Sequence, residues 1–315
     1  MKKALKITRN ILLGVLAAAV LFLLGLFIYN RIKVSNEKEL LENPPIGQFV
    51  TVDDHNMSVY VSGEGKHTLV FLAGAGDPYP ILSFKPFADR FKDMRVVVVE
   101  KFGYGFSDGI DGARDVDTRV RQNRETLKAA GVEGPYILCP HSYSGLESIY
   151  WAQLYPDEVE AIIGLDMAVP KSYDSYDEKT IDCVGSSYTL KRIIREMGIL
   201  RLLAGSSLSD GYTEEEKDAG VALSCSRYCN ETFENESKCI IEDREKIESK
   251  AVPDVPTLLI VSDGKVTEGW IDFEKDYASS LSNSDILFLE CGHTVYEYEP
   301  ESCEKAIRDF MSTLY

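Results

Sequence analysis

An α/β fold with a mainly parallel sheet is the class that this 315-residue chain predicts, on three observations. Eight short apolar runs alternate with stretches of helical periodicity, the pattern of strands separated by crossover helices. One run, Tyr136-Ile137-Leu138-Cys139, passes through Pro140-His141-Ser142-Tyr143-Ser144-Gly145 into a helical pattern that Pro156 stops, so a serine sits in a tight strand-to-helix turn. Residues 167–252 carry helical patterns and no strong strand, as an α-helical insertion between two parts of one core would.

The elements follow in chain order. Residues 11–29 are 19 positions without a charge, flanked by Lys2, Lys3, Lys6 and Arg9 before and by Arg31 and Lys33 after. At 1.5 Å per residue this run covers roughly 28 Å, close to the hydrocarbon thickness of a bilayer. A cleaved signal has an apolar core of about 7–15 residues ending in a small-x-small site. This run ends Leu26-Phe27-Ile28-Tyr29-Asn30-Arg31 instead, so an uncleaved N-terminal transmembrane helix in residues 1–33 is expected. The heavier positive charge on its amino side puts the N-terminus in the cytoplasm and the rest of the chain outside. Residues 34–45, ending in Pro44-Pro45, read as a short polar stalk.

Two core segments, 46–166 and 253–315, then flank the inserted lid at 167–252. Strand-like runs lie at 49–52, 58–61, 69–72, 96–100, 136–139, 162–166, 258–261 and 286–289, the first of them forming an antiparallel meander. Helical stretches lie at 116–130, 145–155 and 301–314 in the core and at 188–203 and 240–250 in the lid. Helices on both faces of an eight-stranded sheet are the expected architecture.

Charge narrows the partners. The chain holds 34 basic and 51 acidic residues, a net charge of −17. Six of the bases and none of the acids belong to residues 1–33, leaving 28 against 51, or −23, on the remainder. Such a surface repels nucleic acid, and no nucleic-acid partner is expected. Four of seven cysteines (Cys183, Cys225, Cys229 and Cys239) fall in the insertion, where they form two bridges in one of three pairings or stay thiols. Cys225-x3-Cys229-x9-Cys239 lacks the paired Cys-x2-Cys spacing of a zinc site and has no histidine nearby.

Ser142 in its exposed turn needs a base, and the chain contains four histidines. His55 and His67 lie in polar turns, and His141 adjoins the serine where the sharp turn sends its side chain away from the reacting face. His293 follows the apolar run 286–289 directly, at the end of a strand and downstream of the serine. An acid must hold the imidazole. Asp166 and Asp263 both end apolar strands, where open α/β sheets place their sites. Either also suits a turn or helix cap.

From 47 to 315 the chain resembles the α/β-hydrolase family, in the lidded branch that includes prolyl aminopeptidases, esterases and haloalkane dehalogenases. Leu72-Ala73-Gly74-Ala75-Gly76 resembles that branch's His-Gly-x-Gly oxyanion loop, with Ala73 in place of the histidine. Glu100-Lys101-Phe102-Gly103-Tyr104-Gly105-Phe106-Ser107-Asp108 is similar to its Asp-x-x-Gly-x-Gly-x-Ser-Asp loop, and Gly292-His293 followed by Glu299-Pro300-Glu301 to its histidine loop and last helix. The resemblance implies the α/β-hydrolase fold, Ser142 as nucleophile, His293 as base, the backbone N–H groups of Ala75 and Tyr143 as oxyanion hole, and neither metal nor organic cofactor. The branch's usual Gly-x-x-Asp acid is replaced by Lys265 after Ser262-Asp263-Gly264, so Asp166 is assigned as the acid, with Asp263 the alternative. Dehalogenases and epoxide hydrolases of this branch use an aspartate nucleophile, which argues against both chemistries here. Hydrolysis of a carboxylester is the first expectation. An aminopeptidase using lid acids (Asp174, Asp177, Glu178, Asp182) is the second, and a non-catalytic binding module the third. The substrate expected is a small-molecule or short-peptide acyl compound.

Overall fold

Valine, isoleucine and leucine fill the strand-like runs, and the computed structural model, which describes residues 2–203, 208 and 211–314, joins all eight into one sheet. The strands are β1 (Gln48–Val52), β2 (His55–Ser62), β3 (Thr68–Leu72), β4 (Arg95–Glu100), β5 (Tyr136–Ser142), β6 (Val159–Met167), β7 (Thr257–Val261) and β8 (Ser284–Phe288), in the order β1-β2-β4-β3-β5-β6-β7-β8. β2 is antiparallel to both β1 and β4, and every other neighbouring pair is parallel.

The helices are α1 (Lys2–Asn36), α2 (Lys38–Glu42), α3 (Pro80–Ala88), α4 (Val116–Ala129), α5 (Ser144–Leu154), α6 (Glu178–Glu196), α7 (Ile199–Leu203), α8 (Glu214–Arg227), α9 (Glu231–Lys238), α10 (Ile240–Glu248), α11 (Trp270–Ser280), α12 (Val295–Tyr298) and α13 (Pro300–Met311). Val70 and Leu72 of β3 pack in one core cluster with Val120, Leu146 and Trp151. Their alternates Leu69 and Phe71 pack in the other with Phe84, Phe87 and Ile307. The two clusters are the two faces of the pleat. A strand covered on both faces has no polar side, and all five residues of β3 and of β7 are buried.

The lid between β6 and β7 consists of α6 to α10, and α6, α8 and α9 start where side chains supply the missing acceptors. Asp177 accepts from the Thr180 N–H, Asn230 from the Phe233 N–H, and Thr213 and Glu216 form a reciprocal capping box. The continuous helix expected over 188–203 is broken instead: α6 begins ten residues earlier and ends at Glu196, Gly198 adopts φ +77°, and α7 follows. Glycine enters the left-handed region without a Cβ clash and so ends the helix. None of the seven cysteines is bridged.

Two findings concern the N-terminal region. α1 is long and apolar enough to cross a membrane, as a span or a signal sequence is, and most of its side chains are bare. Residues 34–45, expected to be a short polar stalk, carry α1 on to Asn36 and then form α2, and they touch the lid. The Glu37 carboxylate accepts two bonds from the Arg201 guanidinium at 2.5 and 2.7 Å, and Leu40 and Leu41 pack in a cluster with Phe106 and Leu223. Its polar composition conceals two leucines that find an apolar seat on α8.

Gly145, in the first turn of α5, lies against β6 so closely that a Cβ would stand 2.1 Å from the Ala168 carbonyl oxygen. That atom is backbone and cannot swing aside. Gly145→Ala should lower stability by about 1–3 kcal/mol, seen as a lower denaturation midpoint at unchanged slope. A midpoint equal to that of the wild type would contradict this packing.

Candidate active site

At the end of β5 the backbone turns sharply into α5, and Ser142 takes φ +52° there. A non-glycine residue in the left-handed region costs about 1–3 kcal/mol and is held only by its surroundings. Those surroundings are tight. A Cβ on Gly74 would stand 2.7 Å from Ser142 Cβ and 3.1 Å from His141 Nδ1, so only glycine lets the loop after β3 pass the turn. The Ser142 carbonyl accepts from the Ala168 N–H at 2.7 Å. Ser144, two residues after Ser142, keeps its buried hydroxyl satisfied between the carbonyl oxygens of Leu72 (2.7 Å) and His141 (2.8 Å). Pro140 is accommodated near the end of β5, close to where its register with β6 shifts between His141 and Ser142.

Asp166, near the end of β6, is fully buried and also has a positive φ, +49°. Its Oδ1 accepts from the Ser262 N–H and from Trp270 Nε1, both at 2.8 Å, and its Oδ2 lies 2.6 Å from His293 Nδ1. Burial pushes this carboxyl up, but the bonds from His293 and Ser262 outweigh burial and hold it below the ordinary aspartate value. An ionised carboxylate only accepts, so Nδ1 carries a proton and donates it to Asp166. The structure thus brings together Asp166 and His293. Asp263 is elsewhere: its carboxylate closes a turn on the Lys265 N–H (3.1 Å) and ion-pairs with Lys265 Nζ (2.6 Å). Its own N–H donates to the Cys291 carbonyl at 2.9 Å, which braces the loop before His293.

Of the two residues expected to supply oxyanion donors, Ala75 lies in the exposed turn after β3 and Tyr143 at the start of α5. Amides at a helix start have no partner within the helix and favour an anion. The neighbouring Gly76 N–H lies 3.5 Å from the Tyr104 hydroxyl.

Several residues at the site were not singled out from sequence. His141 is not merely turned aside. It is buried under the histidine loop, with Nε2 3.3 Å from the His293 carbonyl oxygen and its ring 4.6 Å from that of His293. Burial and the nearby His293 ring depress its pKa to about 3, so it stays neutral. Trp270 donates to Asp166 from α11, a role that nothing local marks.

Behind Tyr143 a charged network is sealed between core and lid. Lys101 Nζ reaches Glu147 at 2.8 Å and Glu236 at 2.9 Å. The Arg119 guanidinium donates to Glu236 (2.8 Å) and Asp243 (2.7 Å), and the Tyr143 hydroxyl to Asp243 (3.2 Å). The Tyr104 hydroxyl makes a very short bond to Glu236. Burial raises Glu236, but Lys101 and Arg119 reverse this and bring it to about 2, whereas burial dominates at Asp243 and lifts it to about 6. Lys101 and Glu147 come from the core, Glu236 and Asp243 from the lid helices α9 and α10.

No family model matches the chain. It is 31% identical to the uncharacterised protein YbdG of Bacillus subtilis over 99% of both chains. Among solved structures it is similar to an epoxide hydrolase from Bacillus megaterium, with 16% identity, a TM-score of 0.65, and 84% of this chain and 100% of that one covered. A Pseudomonas aeruginosa protein described as an epoxide hydrolase gives a TM-score of 0.67 at 16% identity, over 86% of this chain and 97% of that one.

The network sets a stability test. Arg119→Met removes one of two cations facing three buried carboxyls, and breaking such a group on one side costs about 3–5 kcal/mol. Chemical denaturation should show that loss. A change below about 1 kcal/mol would mean that the carboxyls are relieved by another route.

Proposed function

The chain belongs to one family with YbdG and has the α/β-hydrolase fold, and on that premise we propose that it is a membrane-anchored serine hydrolase cleaving an ester-type acyl bond. One observation carries the reading: the imidazole of His293 is bonded through Nδ1 to a buried carboxylate, and its loop packs on His141, the residue before a serine in a strained strand-to-helix turn. In this mechanism His293 Nε2 takes the proton of Ser142 Oγ as the oxygen attacks the acyl carbonyl. Asp166 holds the ring and stabilises its charged form. The N–H groups of Tyr143 and Ala75 receive the oxyanion, where one such donor is worth about 3–4 kcal/mol. His293 then passes the proton to the leaving oxygen, the acyl group stays on Ser142, and water attacks by the same route to release the acid.

The epoxide hydrolases among the structural neighbours suggest another chemistry, but Ser142 stands where that branch carries an aspartate. An aminopeptidase needs an open carboxylate for the substrate's ammonium group. The acids that the lid offers are otherwise engaged or solvated: Asp177 caps α6, Asp174 lies exposed near Arg244, and Glu236 is neutralised by Lys101 and Arg119. Ester cleavage is therefore favoured.

A fluorophosphonate probe should label the wild-type protein at Ser142 and leave Ser142→Ala unlabelled. That variant should fold and lose on the order of 10⁴-fold in turnover. Asp166→Asn should cost about 10⁴-fold, as loss of a triad acid does, and Asp263→Asn far less. Wild-type turnover in Ser142→Ala would refute the mechanism, and reversed aspartate phenotypes would move the acid to Asp263.

The anchor reading places the N-terminus in the cytoplasm and the sheet and lid outside. The protein should stay in the membrane fraction through carbonate and high salt and be released by detergent. Protease added to intact cells should digest the domain. A mature N-terminus near Asn30 would make the segment a cleaved signal, and protection from protease would reverse the orientation.

A further inference from the structure

α1 is bare along most of its length, and where it meets protein it meets the lid. Leu26 and Asn30 are the buried exceptions, 8% and 1% exposed. Asn30 Nδ2 donates to the carbonyl oxygens of Arg195 and Glu196, both at 3.2 Å. Carbonyls in the last turn of a helix lack partners within it, and α6 ends there; the Arg195 carbonyl also accepts from the Gly198 N–H at 2.8 Å. Asn30 Oδ1 accepts from Arg201 Nε at 2.7 Å, and the same guanidinium holds Glu37. Gly198, between α6 and α7, is the point of closest approach. A Cβ there would stand 2.7 Å from Asn30 Cβ and 2.9 Å from the Leu26 carbonyl oxygen.

These contacts fix depth as well as position. Leu26 belongs to the uncharged run and lies about 4.5 Å, three residues of helix rise, inside its last member Tyr29. Tyr29, Arg31 and Lys33 mark the exit from that run, as aromatic and basic residues do at a membrane surface. A corner touching Leu26 therefore sits at the level of the headgroups or just below. The surface around it matches. Outside α1, seven large apolar side chains are exposed among the described residues, and three of them, Leu190, Ile193 and Leu202, belong to α6 and α7. Leu190 and Ile193, three apart, share one helix face. Exposed Lys191 lies between them in sequence, and Glu196 at the end of α6 is paired with Arg31.

We propose that the α6–α7 corner of the lid is seated in the bilayer interface beside α1, with Leu190, Ile193 and Leu202 against lipid. The lid is then the part of the domain that meets the membrane, and α1 fixes its orientation there. The inference rests on reading α1 as a span, and its test separates the two. The two native tryptophans, Trp151 and Trp270, are buried in the core and give a constant background. Full-length Ile193→Trp, Leu202→Trp, Leu21→Trp and Val266→Trp proteins are reconstituted into phosphatidylcholine vesicles with and without brominated acyl chains. Ile193→Trp and Leu202→Trp should lose on the order of half of the added emission in brominated lipid, as for side chains about 5–10 Å into the headgroup and acyl boundary. Leu21→Trp, within α1, should be quenched too, and Val266→Trp, exposed in the loop between β7 and α11 and outside the lid, should not. Quenching at 21 without quenching at 193 and 202 overturns the seating and leaves the span. Quenching at none of the positions overturns both.

Discussion

A carboxylate with no access to water must be neutralised by what surrounds it, and Asp166 is neutralised by donors from three separate segments. The Ser262 amide comes from the end of β7, the Trp270 indole from α11 and the imidazole from the loop after β8. Loss of any one leaves a buried charge undersatisfied, which costs more than an ordinary hydrogen bond returns. The carboxyl ends of β6, β7 and β8 are thus tied to one atom group. The strained φ at Asp166 and at Ser142 are local costs that this tie and the packing of Gly74 offset.

The same logic, with more charges, joins the lid to the core. Two cations and three carboxyls lie between α4, α5, α9 and α10, nearly all without water contact. A purely apolar interface of that size would hold equally well and tolerate sliding. Paired charges tolerate little, because each displaced partner strands another. The network also positions Tyr143, whose hydroxyl is held by Asp243 and whose ring lies beneath the Arg119 guanidinium at 4.7 Å. The residue that follows the strained serine is therefore set partly by the lid, and lid and turn form one mechanical unit that continues through Arg201 and Asn30 into α1.

Local chemistry was legible throughout the sequence. Strands covered on both faces, such as β3 and β7, read as unbroken apolar runs, and each of the eight runs overlaps an observed strand. Pro156 stops α5, the caps of the lid helices are Asp, Thr and Asn, and 19 uncharged residues mark α1 as membrane-compatible whatever else the chain does. The Ser142 turn was legible because a sharp turn between strand and helix needs small neighbours, and Gly145 is one.

Only the tertiary structure decided which groups share a proton or a charge. Asp166 and Asp263 are indistinguishable by position along their strands, and what separates them is that one meets His293 and the other turns back to Lys265. Nothing in the sequence marks Glu147, Glu236 and Arg119 as partners, because composition records polarity and not partners. Periodicity and capping act within a few residues of chain and therefore leave a pattern in the sequence. Charge neutralisation acts across the fold, between residues up to 215 positions apart here, and leaves none.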